Sequence, residues 1–140
     1  MINVEQKDLF TVPQGYYLAH CISADFTLGA GIAKKFDDVY NMRFKLFRDY
    51  DNDENLIGHA LLVDNVFNLV TKHRYFHKPT YDSLRTTLED MREQCEDMNV
   101  EKVAMPKIGC GLDKLEWDQV YAMIVEIFED TNIDILICTL

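Results

Sequence analysis

"VAMPKIGCGLDKLEWDQV", residues 103–120, decides how the rest of the chain is read. It opens as a short apolar run, meets Pro106, and sets Gly109 and Gly111 two apart with Asp113 behind them. With Lys102 included, "KVAMPK" is a strand that its proline ends, because proline cannot donate to a ladder. From Glu116 onward, Trp117, Val120, Tyr121, Ile124 and Phe128 recur on one face of a helix. A strand that exits through two glycines and a carboxylate places close-approach backbone and one charge at its carboxyl end. In an open α/β sheet, ligands settle there.

On either side of this stretch the pattern alternates strand and helix. "IDILICTL", residues 133–140, is an apolar, β-branched strand. Before it, Leu84, Leu88, Met91, Cys95 and Met98 step by four and three along a helix face, with Pro79 in the first turn. "HALLVDN" and "VFNLVTK" form a hairpin with Asp64 and Asn65 at the turn. "YYLAHCIS" is nearly continuous in apolar residues and predicts a central strand buried on both faces, while "INVEQ" alternates. Between the strands, "ADFTLGAGIAKKFDDVYNM" predicts a helix entered near Gly29 to Gly31, with Ile32, Phe36, Val39 and Tyr40 on its apolar face. Residues 48–58 are polar and acidic and predict a surface loop. The order implies an α/β fold, a mixed sheet with helices on both faces, as one domain over residues 1–140.

Composition narrows the function. A net charge of −10 argues against a protein that holds long nucleic acid by neutralising phosphates. It leaves room for a small anion bound by backbone N–H groups. No apolar run reaches membrane-spanning length, and "MINVEQKDLF" lacks the basic-then-apolar layout of an export signal, so no membrane association and a cytoplasmic location are expected. Cys21, Cys95, Cys110 and Cys138 are far apart and show no zinc-ligand spacing; reduced, mostly buried thiols and no metal are expected. One window departs from the acidic background: "TKHRYFHK", residues 71–78, gathers Lys72, Arg74 and Lys78 with His73 and His77. It is either a solvated loop or an edge that faces an anion.

"GAGIAK" at 29–34 begins like a dinucleotide fingerprint, but Lys34 stands where the third glycine belongs, and it does not match the GxxxxGK[ST] phosphate loop. What survives is two glycines at a helix entrance, whose N–H groups can cradle phosphate without side-chain charge. "GCG" at 109–111 offers a second cradle, and a diphosphate held between the two would reconcile an anionic ligand with an acidic chain. No GxSxG is present, and His20 and Cys21 are strand neighbours whose side chains should point to opposite faces. Lys72 at a strand end and Asp113 form the remaining candidate pair: a desolvated lysine attacks carbonyl-like carbon, and a carboxylate moves protons. Lys72 read only as structure is a solvated lysine or an ion pair with Asp113.

"AHCIS", "LGAGIA", "TKHRYFHKPTY", "MPKIGCGLDKLEW" and the closing "CTL" together resemble the macro domain family. They are most similar to the branch of the terminal ADP-ribose protein glycohydrolase and the antitoxin macro domains that remove ADP-ribose from DNA. The likeness runs from "KDLF" at 7–10 to Leu140. It implies a three-layer α/β/α domain with ADP-ribose in a cleft above the sheet. Asp8 would receive the adenine amino group, and Gly29, Ala30, Gly31, Ile32 and Ala33 with Gly109, Cys110, Gly111 and Leu112 would hold the diphosphate. Leu9, His20, Ile22, Ser23, Thr71, Pro106 and Ile108 complete the implied substrate contacts. Lys72 matches the lysine that attacks the ribose anomeric carbon, and Asp113 the acid that assists bond cleavage and release of the adduct. "KDL" stands where the family usually has glycine before the aspartate, and "HCIS" at 20–23 where many members carry asparagine.

The expected activity is metal- and cofactor-independent hydrolysis of ADP-ribose from a modified protein carboxylate or DNA thymidine by a monomer without an extended nucleic-acid surface. A non-catalytic ADP-ribose reader and an O-acetyl-ADP-ribose deacetylase are the alternatives.

Overall fold

The computed structural model describes residues 1–51 and 55–140. Six strands form one sheet: β1 (Ile2–Gln6), β2 (Tyr17–Ser23), β3 (Ala60–Val63), β4 (Val66–Lys72), β5 (Lys102–Met105) and β6 (Asp134–Thr139). Their spatial order is β1-β6-β5-β2-β4-β3. Every neighbouring pair is parallel except the β3–β4 hairpin, whose turn runs through Asp64 at φ +53°. The mixed sheet, the hairpin and the interior position of β2 are as the sequence predicts.

Helices α1 (Gly31–Tyr40), α2 (Met42–Tyr50), α3 (Tyr81–Met98) and α4 (Trp117–Phe128) cover both faces. Strand alternation divides the core accordingly. Ala19, Phe67, Leu69, Val103, Met105, Ile135 and Ile137 pack under α3 and α4. Leu18, Ile22, Val66, Val70, Ala104, Leu136 and Cys138 face the other way, with Phe36, Met42 and Leu46 of α1 and α2. The three-layer α/β/α architecture follows from this two-sided burial.

Three sequence expectations are corrected. Residues 48–50 belong to α2, a helix the polar composition conceals, and residues 52–54 of the expected loop lie outside the described residues. The helical pattern there is broken at Asn41, whose φ of 55° ends α1 and begins α2; asparagine tolerates this left-handed conformation. Val39, assigned to the apolar face of α1, is exposed, as is Met98 at the end of α3. Pro79 precedes the first turn of α3, because Thr80 is the cap: its side chain accepts from Ser83 N–H while Ser83 Oγ accepts from Thr80 N–H. Ser83 Oγ also donates to the Thr71 carbonyl at 2.7 Å, fastening the start of α3 to the end of β4.

Candidate active site

The carboxyl ends of β2, β4, β5 and β6 share one edge of the sheet because these strands are parallel. The chain passes from β2 to β4 on one side and returns to β5 on the other, so a crevice opens at that edge. It holds a cleft of about 980 Å³, lined by Cys21, Ile22, Ser23 and residues 27–33 after β2, by Lys72, Tyr75 and Lys78 after β4, by residues 106–113 after β5 and by residues 138–140 of β6 and beyond. A shallower depression of about 240 Å³ on α3 is bordered mainly by Glu89, Glu93, Glu96 and Asp97 and is too acidic to attract an anion.

The first cradle is the start of α1. Its cap residue, Ala30, has no side-chain acceptor, so the leading N–H groups of the helix, on residues that line the cleft, have no side-chain cap among the described residues. Gly31 at φ +59° lets the backbone turn there, and a Cβ on it would meet Leu112 Cδ1 at 3.6 Å. Leu112, on the opposing loop, thus closes over the helix entrance. The loop before it crosses the left-handed region at Phe26 (φ 53°) and Leu28 (φ 44°), both buried, a strained path of the kind found at binding sites.

The second cradle is the β5–α4 loop, and it explains the paired glycines. Gly109 sits at φ +73°, and a Cβ would come within 3.0 Å of Leu115 Cδ1. Conformation therefore favours glycine at 109, and the Leu115 side chain would have to give way to any Cβ there. Gly111 differs: a Cβ there would meet no atom within 4 Å, so the open space beside it is available to a ligand. Hydrogen bonds from Leu115 N to Gly109 O at 2.8 Å and from Lys114 N to Gly111 O at 3.2 Å tighten the turn and present Asp113 to the cleft.

Lys72 is the last residue of β4. Pairing with β2 skips there, from Ile22–Val70 to Ser23–Lys72, a bulge that re-aims the strand end. Lys72 Nζ donates to Asp113 Oδ1 at 2.7 Å, with the two side chains only 13% and 15% exposed. Of the readings left open by the sequence, the ion pair with Asp113 is the one observed. That same contact gives the amine a proton acceptor within reach.

Asp25 ties the surrounding loops together. Its Oδ1 accepts from Ser23 Oγ at 2.5 Å and Thr27 N at 3.1 Å, and its Oδ2 from Tyr75 N at 2.9 Å. Although burial opposes its ionisation, these donors hold the carboxyl below the usual range. Lys78 Nζ reaches across to the Leu112 carbonyl at 2.8 Å. Sequence reasoning gave Asp25, Thr27, Leu28 and Lys107 no individual role, although they lie in the connections 23–33 and 107–113 that it placed at the carboxyl ends of the strands, and it missed the β6 end. It noted Lys78 only as part of the basic window and gave Tyr75 no role.

The structure brings together Lys72, Asp113, Ile22, Ser23, residues 29–33, Pro106 and residues 108–112. Asp8, Leu9, His20 and Thr71 do not line the cleft. Leu9 is core. Thr71 is the extra residue of the bulge, its hydroxyl buried without a partner among the described residues. His20 faces α1, stacked on Phe36 with ring centroids 3.9 Å apart, and its Nε2 lies 2.6 Å from Asn68 Oδ1. Because Asn68 Nδ2 donates to the Leu61 carbonyl, its oxygen accepts, and His20 carries its proton on Nε2. Burial lowers the His20 pKa to about 4. Asp8 caps the short helix Leu9–Thr11 and is approached by Lys35 at 3.5 Å; a hydrogen bond from Phe10 N–H lowers its pKa. It lies just beyond Lys7, whose N–H bonds to Thr139 at the β6 end of the cleft.

A Cys-His nucleophile is ruled out by the same geometry. Cys21 packs toward α3 and α4, opposite His20. Burial first, and then the negative charge of Asp113, holds its thiol far above the ordinary range.

A mixed sheet between two helical layers, with glycine-bearing loops bordering a cleft at its carboxyl edge, is the architecture of macro domains. The chain belongs to the Macro domain family, which matches residues 20–124. Its relatives include ADP-ribose glycohydrolase OARD1 of Homo sapiens, 42% identical over 143 residues that span 99% of this chain and 91% of that protein. The macrodomain of Mycobacterium tuberculosis DarG superimposes with a TM-score of 0.90 at 24% identity, covering 99% of this chain and 97% of that one. Thermosipho africanus DarTG in complex with ADP-ribose aligns with a TM-score of 0.76 at 16% identity, over 98% of this chain and 41% of that one. These two structures speak for the fold.

Proposed function

We propose that this protein is an ADP-ribosyl glycohydrolase: it binds ADP-ribose joined to a macromolecule and hydrolyses the bond at the terminal ribose. The observation that carries the reading is the 2.7 Å contact between Lys72 Nζ and Asp113 Oδ1 at a cleft with two N–H cradles. The human relative named as an ADP-ribose glycohydrolase supports it. The diphosphate would rest on the N–H groups of residues 29–33 and 109–112, where dipoles bind an anion without a cationic side chain. Asp8 would meet the adenine end. Neither a metal nor a cofactor is required by the steps below.

Nucleophilic attack needs a free lone pair on Nζ. As substrate fills the cleft and excludes water, the Lys72 proton passes to Asp113, the acceptor already in contact. The neutral amine then attacks the anomeric carbon, a C–N bond forms as the bond to the leaving atom breaks, and Asp113 protonates that atom. Water next attacks the anomeric carbon of the adduct, Asp113 takes its proton, and the amine leaves with the C–N electron pair. Asp113 then passes the proton it took from water back to Nζ, which restores the starting ion pair; the cycle consumes one water.

The test is Lys72→Ala assayed with ADP-ribosylated glutamate peptide and thymidine-modified oligonucleotide. The variant is expected to bind ADP-ribose in a calorimeter with wild-type affinity and release none from either substrate. Unchanged turnover would reject the nucleophile. A wild-type protein that binds ADP-ribose and cleaves neither substrate would instead be a reader.

A further inference from the structure

Residues 73–78 are exposed without exception, yet they are not loosely held. Tyr75 N bonds to Asp25, His77 N to the Arg74 carbonyl at 3.0 Å, and Lys78 Nζ to the Leu112 carbonyl. On this fixed segment Tyr75 and Phe76 are 62% and 66% exposed. Their rings meet edge to face at 5.4 Å, and Phe76 meets His77 likewise at 4.7 Å. Single exposed apolar residues need no explanation, but adjacent aromatic rings anchored at the rim of a cleft do. Tyr75 and Lys78 line the cleft, Phe76 stands just outside it, and Lys72 is three residues away. With the terminal ribose at Lys72, as the proposed function has it, the group attached to that ribose would leave beside this rim.

We infer that Tyr75 and Phe76, flanked by Arg74 and Lys78, form an acceptor-side platform on which a base next to the modified nucleotide of a single-stranded nucleic acid stacks. The inference rests on the ADP-ribose reading of the cleft and gives its leaving group a chemical class. Aromatic faces accept any base, and stacking on them is the general means of holding single strands. The charges agree: in a chain of net charge −10, Lys72, Arg74 and Lys78 stand within seven residues, with His73 and His77 beside them. The Arg74 guanidinium has no ion-pair partner among the described residues. A short basic segment bordered by acidic surface suits one or two phosphates beside the modification and repels the remainder of a long strand. An acidic peptide would satisfy the cations but leave the ring faces unused.

Binding is measured by fluorescence anisotropy in a Lys72→Ala background, so that the probe is not consumed, with free ADP-ribose, a thymidine-modified oligonucleotide and an ADP-ribosylated glutamate peptide. The oligonucleotide is expected to bind more tightly than ADP-ribose. Phe76→Ala should weaken the oligonucleotide about tenfold, as loss of one base stack does, and leave ADP-ribose and the peptide unchanged. Arg74→Ala should lower the salt slope for the oligonucleotide by about 0.7, the loss of one single-strand phosphate contact. If Lys72→Ala fails to bind ADP-ribose, the same comparisons are made with wild-type protein, by KM from initial rates for the oligonucleotide and the peptide and by product inhibition for free ADP-ribose. Equal binding of oligonucleotide and ADP-ribose, or Phe76→Ala weakening the peptide as much as the oligonucleotide, overturns the platform while the cleft reading stands. Wild-type protein without affinity for ADP-ribose overturns both.

Discussion

Replacing Asp113 by Asn keeps the shape and one acceptor oxygen but removes the acid that the proposed mechanism requires. Turnover in Asp113→Asn should fall about 10²–10⁴-fold, with ADP-ribose affinity preserved; rapid-quench single turnovers would show the loss in the chemical step. A second residue-scale prediction concerns His20, whose ring is buried against Phe36 with Nδ1 unpaired among the described residues. Its pKa falls from 6.5 to about 4 on folding, so between those values the unfolded chain takes up a proton that the folded chain excludes. Stability from this source is complete above pH 6.5 and is lost as the pH falls toward 4, by up to about 3 kcal/mol. His20→Gln preserves a donor to Asn68 and cannot titrate. Urea midpoints at pH 7 and pH 4.5 should therefore diverge less in this variant than in wild type, and equal losses would show that His20 does not govern the acid limb.

The paired glycines of the β5–α4 loop separate conformation from ligand access. Gly109→Ala must place a side chain at φ +73° and against Leu115, so a loss of about 1–2 kcal/mol is expected in thermal unfolding. Gly111→Ala meets open space, so its melting temperature should hold while ADP-ribose affinity falls, a contrast that calorimetry can read. Strands and long helices of this chain were legible because burial on one face or two writes a period into the sequence. "YYLAHCIS" and the Leu84–Cys95 face are examples. Helix α2 was not, since "MRFKLFRDY" buries only Met42 and Leu46 and its remaining surface is polar. Likewise, neither the β4 bulge at Thr71 nor the left-handed Phe26 and Leu28 carries a local signature: tertiary contacts impose them.

For the molecule as a whole, the net charge of −10 opposes the approach of a nucleoside diphosphate. Raising the ionic strength from about 10 mM to about 150 mM shortens the Debye length from about 30 Å to about 8 Å and should speed ADP-ribose association in stopped-flow measurements. Slower association with salt would mean that the basic rim, not the acidic bulk, sets the field at the entrance. This scale is also where the site became readable: Lys72 and Asp113 lie 41 residues apart and meet only because β4 and β5 flank β2 with their ends together. Chemistry made each a candidate in the sequence; their contact is a property of strand order. Asp25 and the β6 residues gave no such signal, since their roles consist of what folding puts next to them.

Strand β6 occupies the place between β1 and β5. Synthesis delivers β1 more than 130 residues before β6, so a nascent chain keeps β1 without this partner, with its ladder groups open, until residue 139 has emerged. Closure of the sheet consequently waits on β6, and removing residues 134–139 would strip two strands of their neighbour at once rather than trim an edge.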